Sequence, residues 1–464
     1  MIVSVDLGTS GVRVALVDRD LDLHDAIRTG ITVAFESDGR ATVVLAHVLT
    51  AVFTGIRSLL ERNEGVEVDA VSFSSQGEVI FPLTPQGSAP ESFAVTVDTS
   101  GVPSQDEMAE AGDAADFQAT TGQPLHAMFP VFRLHGRHRA GESFGRVVSL
   151  DSHIRQLLGG GPQIDLSLAS RSGMFDVDAR QWSPELCSWA GLGAHLLPPV
   201  VPAGSVVGAV DQDGHGLTGL PVGTPIVVGS HDQACAYWGA GGIPAEVAVF
   251  SAGSSECLTQ GRWGRPDVFG SAMPTYPVAE DLWLTLVGIP AGGWALEWLA
   301  KLGSRPVGSL VSEAAARQVT RVLVHPYFGG SPTFRNDPSA SASMHRLSLD
   351  VDLVDLTRAM VEASGFELGD GLARTEASLG RPARVHCSGT GASFDATSIR
   401  ADACTRTLTI VPPDAAIQGA ALQAWVGLGA FESLVGCHTP PVLATVEPAR
   451  CDLLADKRRE YLAH

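Results

Sequence analysis

Short apolar runs separated by glycine-rich turns set the pattern of the first eighty residues. Residues 2–5 and 12–17 are rich in β-branched side chains and flank a Gly-Thr-Ser-Gly turn, which predicts a hairpin. Apolar residues recur near helical spacing over 43–61, which predicts a helix. The apolar run 69–74 predicts a buried strand that leads into the polar turn 75–78. Ligands gather at such strand ends in open α/β sheets, so this turn is a candidate substrate position.

The middle of the chain shows weaker patterns. Residues 82–122 are rich in Pro, Ser, Gly and acidic residues, which predicts loops with one short strand at 94–97 that ends on Asp98. Residues 117–158 are predicted to be mainly helical.

The second half of the chain repeats the opening of the first. The apolar run 247–250 meets the glycine-serine turn 251–255, much as residues 2–5 run into the turn that begins at Asp6. Later segments with clear patterns are predicted as strands at 282–287 and 384–387 and as helices at 294–302, 354–363 and 415–428. A proline-rich segment, which is expected to interrupt helices and strands, precedes residue 240. We therefore predict two α/β domains, residues 1–240 and 241–464.

The composition of the chain limits the classes of molecule that it is expected to bind. The chain has 464 residues, 45% of them hydrophobic and 18% charged, and a formal net charge of −20. Such an acidic balance disfavours binding to nucleic acid or to an anionic membrane. Residues 415–430 are weakly charged but interrupted by glutamines and glycines, so they are expected to form a buried helix and no membrane span.

The N-terminal residues and the cysteines indicate the compartment. The first six residues lack the basic start and the long apolar run of a signal peptide. The seven cysteines show no C-x-x-C pairing, so free thiols are expected and a zinc site is not. Together these features favour a cytoplasmic protein.

The Asp-Leu-Gly-Thr-Ser-Gly turn that begins at Asp6 is a candidate phosphate site. Backbone amides in such a turn converge on phosphate oxygens, and the carboxylate can hold a metal ion or its water. Arg13 can return a positive charge to the same place. A tight hairpin with a capping aspartate is the structural alternative. The related turn at 253–255 favours the phosphate interpretation, because two such turns can grip a polyphosphate, although the second turn lacks an acidic counterpart to Asp6.

Two further turns carry candidate chemistry. Asp232 follows an apolar run in a glycine-flanked turn and has the character of a general base, with Gln233 beside it to hydrogen-bond a polar ligand. His231 is a rival base or an ordinary turn histidine. The Ser-Gly-Thr-Gly-Ala turn at 388–392 follows a strand, so its glycines could let a nucleotide approach the backbone. An ordinary strand-to-helix turn explains the same residues.

In order along the chain, these segments resemble the FGGY carbohydrate kinases, relatives of glycerol kinase and xylulokinase within the actin and hexokinase-like ATPase superfamily. The resemblance covers nearly the whole chain. Its motifs are D-L-G-T-S-x-x-R at 6–13, A-S-R…F-D…W-S-P-E-L at 169–186, the proline- and glycine-rich run 197–225, G-x-H-D-Q at 229–233, G-S-S at 253–255, G-W-A-L-E-W at 293–298 and G-T-G-A-S…Q-G-A-A-L-Q-A at 389–424.

The resemblance implies two ribonuclease-H-like (actin-like ATPase) domains around a central cleft, with sugar mainly on the N-terminal domain and ATP mainly on the C-terminal one. Asp232 would be the catalytic base, and Asp6 and Asp232 would lie at Mg²⁺. The residues implied to bind ATP are Gly8, Thr9, Ser10, Arg13, Gly253, Ser254, Ser255, Gly293, Gly389, Gly391 and Asp395. One base, one metal ion and two amide-rich turns are a sufficient set for phosphoryl transfer.

The residues implied to bind substrate are Gln76, Glu78, Asp98, Asp232 and Gln233. Gln76 and Glu78 match the N-Q-R-E stretch of glycerol kinases, but Gly77 stands where their substrate-binding arginine would be. Asp98 matches the aspartate of the family's W-x-D-x-R stretch without its tryptophan or arginine. These departures disfavour glycerol and favour a ketopentose or related polyol. Surface carboxylates on loops are the alternative for Glu78 and Asp98.

The sequence therefore predicts an ATP- and Mg²⁺-dependent carbohydrate kinase, a transferase that phosphorylates a hydroxyl of a small sugar or polyol. Neither nucleic acid nor membrane is an expected partner, and a homodimer is compatible with the resemblance. The alternative from another class is a catalytically idle sugar- or nucleotide-binding sensor with the same fold. A hinge ATPase of the chaperone or actin kind is disfavoured by the sugar-kinase segments at 169–186 and 197–225.

Overall fold

The computed structural model describes residues 1–268, 271–290, 292–337 and 340–463. The chain forms two compact units. The first comprises Met1–Gly239, Thr275–Leu284 and Ala416–His438, and the second comprises Ala240–Pro274, Thr285–Ala415 and Thr439–His464.

A twisted sheet built on the predicted N-terminal hairpin organises the first unit. Its strands run in the order Val206–Ala209, Pro225–Val227, Ala70–Ser75, Ile2–Gly8, Gly11–Val17 and Leu23–Gly30, and Ser230–His231 also pairs with Ala70–Ser75. Ala70–Ser75 is parallel to Ile2–Gly8 on one side and to the short strands before Asp232 on the other. The polar residues that end these strands therefore lie at one edge of the sheet.

The helix predicted at 43–61 is observed at Leu45–Arg62 and packs its apolar face on this sheet. The face consists of side chains at helical spacing that are at most 4% exposed, namely Val48, Val52, Ile56 and Leu59. Its first two predicted residues instead end the strand Ala41–Val44.

The small-residue helix Ala415–Gly427 is buried, as predicted, and belongs almost entirely to the first unit. Ser4 Oγ donates to the Ile417 carbonyl at 2.7 Å, and Gln423 Nε2 donates to Ser230 Oγ at 2.7 Å. A Cβ atom added at Gly419 would lie 1.8 Å from the Cys235 carbonyl oxygen. Glycine therefore lets this helix approach the backbone of the helix that Asp232 begins.

The other elements of the first unit are shorter. The remaining helices are Val102–Glu110, Ala114–Thr121, Pro130–Arg139, Leu150–Leu157, Leu166–Arg171, Pro184–Trp189, Gln212–Thr218 and Asp232–Gly239, with a 3₁₀ turn at Ala194–Leu196. The remaining strands are Ala34–Phe35, Ile80–Pro82, Ser92–Ala94, Val147–Ser149, Ile164–Asp165, Phe175–Asp176, Gln181–Trp182, Val200–Val201 and Thr275–Pro277.

The second unit repeats the motif of a hairpin with a parallel neighbour. Val247–Ala252 pairs antiparallel with Glu256–Trp263 and parallel with Arg384–Ser388. The sheet continues through Leu408–Ile410 and Ala444–Val446 on one side and Leu282–Ile289 on the other. Further elements of this unit are the strands Leu323–His325 and Ser343–His345 and the helices Gly292–Leu302, Val307–Ala316, Leu353–Leu379, Phe394–Cys404 and Cys451–Ala463.

The helix predicted at 354–363 is much longer, Leu353–Leu379, and continues through several glycines. An added Cβ at Gly365 would lie 2.5 Å from Ala403 Cβ, and one at Gly369 would lie 3.1 Å from Cys404 Cα. These glycines allow close packing against the helix Phe394–Cys404, and this tertiary contact outweighs their low helix propensity.

Two other predictions differ from the structure. The short strand predicted at 94–97 is Ser92–Ala94, and Asp98 lies in the turn beyond it. The segment 117–158, predicted as mainly helical, contains the strand Val147–Ser149 between its helices. Among the described residues, no helix combines the length and the apolar character needed to cross a membrane.

The close approach at Gly419 can be tested by Gly419→Ala. We expect a loss of about 1–3 kcal/mol in unfolding free energy, because the methyl group would overlap a backbone carbonyl. Gly216→Ala is the control, since its Cβ would meet nothing within 4 Å in the helix Gln212–Thr218. Alanine there is expected to be neutral or stabilising. Denaturant unfolding of both variants measures the difference, and equal midpoints would contradict the packing argument.

Candidate functional site

The ends of three neighbouring strands place the candidate catalytic residues side by side. Asp6 is the register partner of Ser74, and Ser74 is the register partner of Ser230. Asp232 follows two residues after Ser230 and opens the helix Asp232–Gly239. The structure thus brings the turn that begins at Asp6, the polar turn 75–78 and Asp232 to one edge of the sheet in the first unit.

Asp6 is a partly buried residue whose carboxylate has few groups that stabilise its charge. Burial raises the pKa of Asp6 to about 6, and the negative charge of Asp232 acts in the same direction. A hydrogen bond from Ser74 Oγ to Asp6 Oδ1 at 2.8 Å and the charge of Arg13 oppose these effects. A bound cation would favour the ionised form. The carboxylates of Asp6 and Asp232 together are a donor set that fits Mg²⁺, which commonly takes its other ligands from phosphates and water.

His231 holds the Asp232 carboxylate in place. Its Nε2 lies 3.0 Å from Asp232 Oδ1, and its Nδ1 lies 2.7 Å from the Tyr276 hydroxyl. Its backbone N–H donates to Ser167 Oγ at 2.9 Å. The His231 side chain is 5% exposed, whereas that of Asp232 is 28% exposed. Both imidazole nitrogens are engaged within the protein, so this geometry favours Asp232 over His231 as the group that meets a ligand.

Gln76 and Gln233 flank these carboxylates. Thr9 Oγ1 donates to Gln76 Oε1 at 3.1 Å, which links the turn that begins at Asp6 to the polar turn 75–78. The Gln233 Oε1 atom is buried and has no hydrogen-bond partner among the described residues. A buried unpaired amide oxygen is costly, so it indicates a position where a ligand or water donates.

Glu78 is buried in an ion network that the sequence did not reveal. Arg171 donates to Glu78 Oε1 through Nε at 2.7 Å and through Nη2, and Thr96 Oγ1 donates to Glu78 Oε2 at 2.8 Å. Arg171 Nη1 also donates to Gln123 Oε1 at 2.9 Å. Burial alone would raise the pKa of Glu78, but the Arg171 charge, with smaller contributions from His231 and these hydrogen bonds, lowers it to about 2. Glu78 therefore stays ionised and only accepts hydrogen bonds.

The surroundings of Gly77 explain why no arginine occupies this position of the turn 75–78. An added Cβ at Gly77 would lie 2.8 Å from His231 Cδ2 and 2.9 Å from Arg171 Cγ. The space beside residue 77 is thus filled by two side chains from other elements. Arg171 is the arginine of the A-S-R motif at 169–171. Its pairing with Glu78 could not be predicted from the sequence, because the two residues are 93 positions apart.

The alternative of surface carboxylates is wrong for both Glu78 and Asp98, which are 4% and 3% exposed. Asp98 Oδ2 accepts from the Ala41 N–H at 2.8 Å. Its Oδ1 accepts from the backbone and the hydroxyl of Ser100. These bonds tie the loop after Ser92–Ala94 to the strand Ala41–Val44, and a substrate role for Asp98 stays a prediction.

In the second unit, the predicted nucleotide residues meet at the hairpin turn 253–255. The backbone N–H groups of Gly293 and Gly391 donate to the carbonyls of Gly253 and Ala252 at 3.1 and 2.9 Å. An added Cβ would lie 2.2 Å from the Gly253 oxygen at residue 293 and 2.5 Å from the Ala252 oxygen at Gly389. Gly389 also has φ of +97°. These glycines are required by close backbone packing around the turn.

Asp395 lies in the first turn of the helix Phe394–Cys404, which Ser393 caps. Its Oδ2 accepts from Ser312 Oγ at 2.6 Å. It is half-buried and lies four residues after Gly391. Its predicted contact with the nucleotide stays a prediction.

Comparison with known proteins decides the family. The model for the N-terminal domain of the FGGY family of carbohydrate kinases matches residues 1–239, and the model for the C-terminal domain matches residues 248–428. The chain belongs to the FGGY family of carbohydrate kinases. The family, the two-domain α/β fold and the enzyme class predicted from the sequence are confirmed.

The relatives that match this chain are named as kinases of different sugars. Over 176 residues the chain is 33% identical to an L-fuculokinase of Salmonella typhi, a match that covers 36% of each protein. It is 21% identical over 411 residues to a gluconokinase of Bacillus licheniformis, covering 84% of this chain and 80% of the relative. The solved xylulose kinase from Lactobacillus acidophilus matches with a TM-score of 0.90 at 18% identity, covering 100% of this chain and 97% of that one. The fuculokinase match spans about a third of that relative, and the structural match shows the fold alone.

The Glu78–Arg171 pair predicts a pH dependence of stability. The folded-state pKa of Glu78 is about 2, below its ordinary value of 4.5. The ionised carboxylate therefore stabilises the fold above the ordinary value, and this contribution is lost as pH falls toward 2. We expect the unfolding free energy of wild type to fall by roughly 3 kcal/mol more than that of Glu78→Gln between about pH 6 and pH 2.

Denaturant unfolding across this pH range tests the expectation. Glu64→Gln, which changes an exposed carboxylate, is the control and is expected to follow wild type. Parallel curves for wild type and Glu78→Gln would show that the pair does not lower the Glu78 pKa.

Proposed function

We propose that this chain catalyses ATP-dependent phosphorylation of a hydroxyl of a small sugar or polyol, with Asp232 as general base. The observation that carries the proposal is the position of Asp232: at the carboxyl edge of the sheet, oriented by His231 and next to Asp6. Membership of a kinase family implies ATP use. The site residues supply what phosphoryl transfer requires, which is positioning and charge neutralisation.

In the proposed reaction, the substrate hydroxyl oxygen forms a bond to the γ-phosphorus of ATP. The bond from that phosphorus to the β,γ-bridging oxygen breaks, and ADP leaves. The hydroxyl proton passes to the Asp232 carboxylate, which needs hydrogen-bond reach of about 3 Å to that hydroxyl. His231 orients this carboxylate through Nε2, while its Nδ1 is held by the Tyr276 hydroxyl.

Asp6 and Asp232 would hold Mg²⁺. The ion would supply neutralisation of charge on the phosphate oxygens. The turns containing Gly8, Thr9 and Ser10, with Arg13, would bind phosphate on the first unit, and Gly253, Ser254 and Ser255 would bind it on the second. Gly293, Gly389, Gly391 and Asp395 would line the nucleotide, so residues 1–240 would mainly bind sugar and 241–464 mainly ATP.

The substrate side favours a neutral polyhydroxyl compound. Gln76 and Gln233 offer amide groups, which suit hydroxyl groups, whereas the predicted substrate residues Glu78 and Asp98 already accept hydrogen bonds within the protein. The Arg171 guanidinium is bound to Glu78 and Gln123, and Arg133 donates to the carbonyls of Met128 and Glu78. With these buried cations engaged inside the protein, a ketopentose or related polyol fits better than a carboxylated sugar. A cytoplasmic location and a homodimer stay predictions.

An ADP-release assay against ketoses, alditols, aldonates and glycerol tests the reaction, with Asp232→Asn as the decisive variant. Loss of the base is expected to lower kcat at least about a hundredfold while the protein stays folded. Asp106→Asn, an exposed aspartate on the helix Val102–Glu110, is the control and should keep full activity. Near-wild-type turnover by Asp232→Asn would refute the mechanism, and sugar binding by calorimetry without turnover in wild type would favour the idle sensor.

Asp6→Asn tests the proposed metal site. Removing this carboxylate is expected to raise the Mg²⁺ concentration for half-maximal rate about tenfold or more, because a neutral amide is a weaker ligand for a hard cation. Asp20→Asn, an exposed change just beyond the same hairpin, is the control. Titration of chelator-treated enzyme with Mg²⁺ measures the effect, and an unchanged midpoint for Asp6→Asn would exclude Asp6 as a ligand.

A further inference from the structure

A buried ion network lies directly behind the turn 253–255. Glu256, the first residue after that turn, and Arg400, on the helix Phe394–Cys404, are each 2% exposed. Arg400 Nη2 donates to Glu256 Oε1 at 2.6 Å. Ser364 completes a closed ring, since its Oγ lies 2.6 Å from Glu256 Oε2 and accepts from Arg400 Nε at 2.8 Å.

The same guanidinium reaches a second turn. Arg400 Nη1 donates to the Gly391 carbonyl at 2.7 Å, and the Gly391 N–H donates to the Ala252 carbonyl at 2.9 Å. Ala252 is the register partner of Glu256 across the hairpin. Arg400 therefore spans from the hairpin that carries the turn 253–255 to the glycine turn at 389–391.

A third turn packs on the carboxylate itself. An added Cβ at Gly292 would lie 2.4 Å from Glu256 Cγ, so the start of the helix Gly292–Leu302 touches the Glu256 side chain. The next two residues, Gly293 and Trp294, donate from their backbone to the carbonyls of Gly253 and Ser254 at 3.1 and 3.0 Å. One buried carboxylate thus lies where three backbone turns meet.

A buried ion pair is weak evidence for a stabilising role, because desolvation of both charges offsets much of their attraction. What the network does fix is the relative position of the turns that it joins. Three guanidinium nitrogens are each directed at a different partner, one of which is a backbone carbonyl of a predicted nucleotide turn. A rigid, planar group that directs several donors at fixed angles is the particular property of arginine.

We propose that Glu256 and Arg400 are positioning residues for the nucleotide: they fix the spacing between the turns 253–255 and 389–391 and so set ATP affinity without touching the sugar. The proposal rests on the proposed function in one respect, that these turns bind ATP. It adds two residues that no motif in the sequence identified. Because they act through backbone turns, their loss should raise the KM for ATP and leave the KM for sugar unchanged.

The test compares Arg400→Met and the double variant Glu256→Gln/Arg400→Met with wild type. The single change leaves Glu256 buried and unpaired, which is expected to destabilise the protein. The double change removes both charges, so the unfolding midpoint should recover toward wild type. The KM for ATP and the Kd for Mg-ADP should nevertheless stay raised about tenfold or more, as expected for a lost charge-assisted hydrogen bond to the turn.

Arg358→Met is the matched control in the same unit. Arg358 is likewise a buried arginine, 1% exposed, and its partner Glu362 at 2.7 Å also binds Lys457. No contact of Arg358 in the described residues involves the three turns. This variant should keep the wild-type Kd for Mg-ADP.

Calorimetric Mg-ADP binding separates this proposal from the kinase assignment. If wild type binds Mg-ADP but turns over no sugar, the proposed function fails while the positioning role can still be measured. Wild-type affinity in the stable double variant would overturn the positioning role. An equal loss of affinity in Arg358→Met would also overturn it, because the effect would then reflect general destabilisation of the unit.

Discussion

The parallel pairing of Ala70–Ser75 with strands on both sides constrains the rest of the candidate site. It places Asp6, Ser74 and Ser230 side by side on adjacent strands, and Asp232 follows two residues after Ser230. Burial of Asp6 disfavours its charged form, and the nearby negative charge of Asp232 acts in the same direction. Such a pair is a destabilised element that the surrounding core must offset. A cation bound between the two carboxylates, or a proton transferred to one of them during the reaction, would reduce this repulsion.

The two hairpins show how one backbone arrangement supports two electrostatic environments. In the first unit, the carboxylate of Asp6 lies before the turn and burial raises its pKa to about 6. In the second unit, the carboxylate of Glu256 lies after the turn and is held by Arg400 and Ser364. The repeated hairpin therefore carries one carboxylate whose pKa is raised and one that an arginine and a serine hold in place. This difference agrees with the absence of an acidic residue in the turn 253–255 itself.

Local pattern was enough to predict the elements that carry the site. The hairpin, the helix after it and the small-residue helix near the end follow from spacing of apolar side chains, and the turn residues follow from glycine and hydroxyl content. Contacts between distant segments could not be predicted in this way. The Glu78–Arg171 pair joins residues 93 positions apart, and the continuation of Leu353–Leu379 through Gly365 depends on a neighbouring helix. Burial of Glu78 and Asp98 likewise follows from tertiary partners that composition does not encode.

The helix Ala415–Gly427 has a consequence for how the protein is made. It supplies the hydrogen-bond partners of Ser4 and Ser230 and fills space against Cys235, all in the first unit. A ribosome synthesises these partners more than 170 residues after Cys235. The first unit can therefore complete its core only when most of the second has already been translated. Until then the apolar surface that this helix covers stays exposed to solvent. During synthesis from the N-terminus, the first unit therefore cannot finish folding before the later half of the chain has been made.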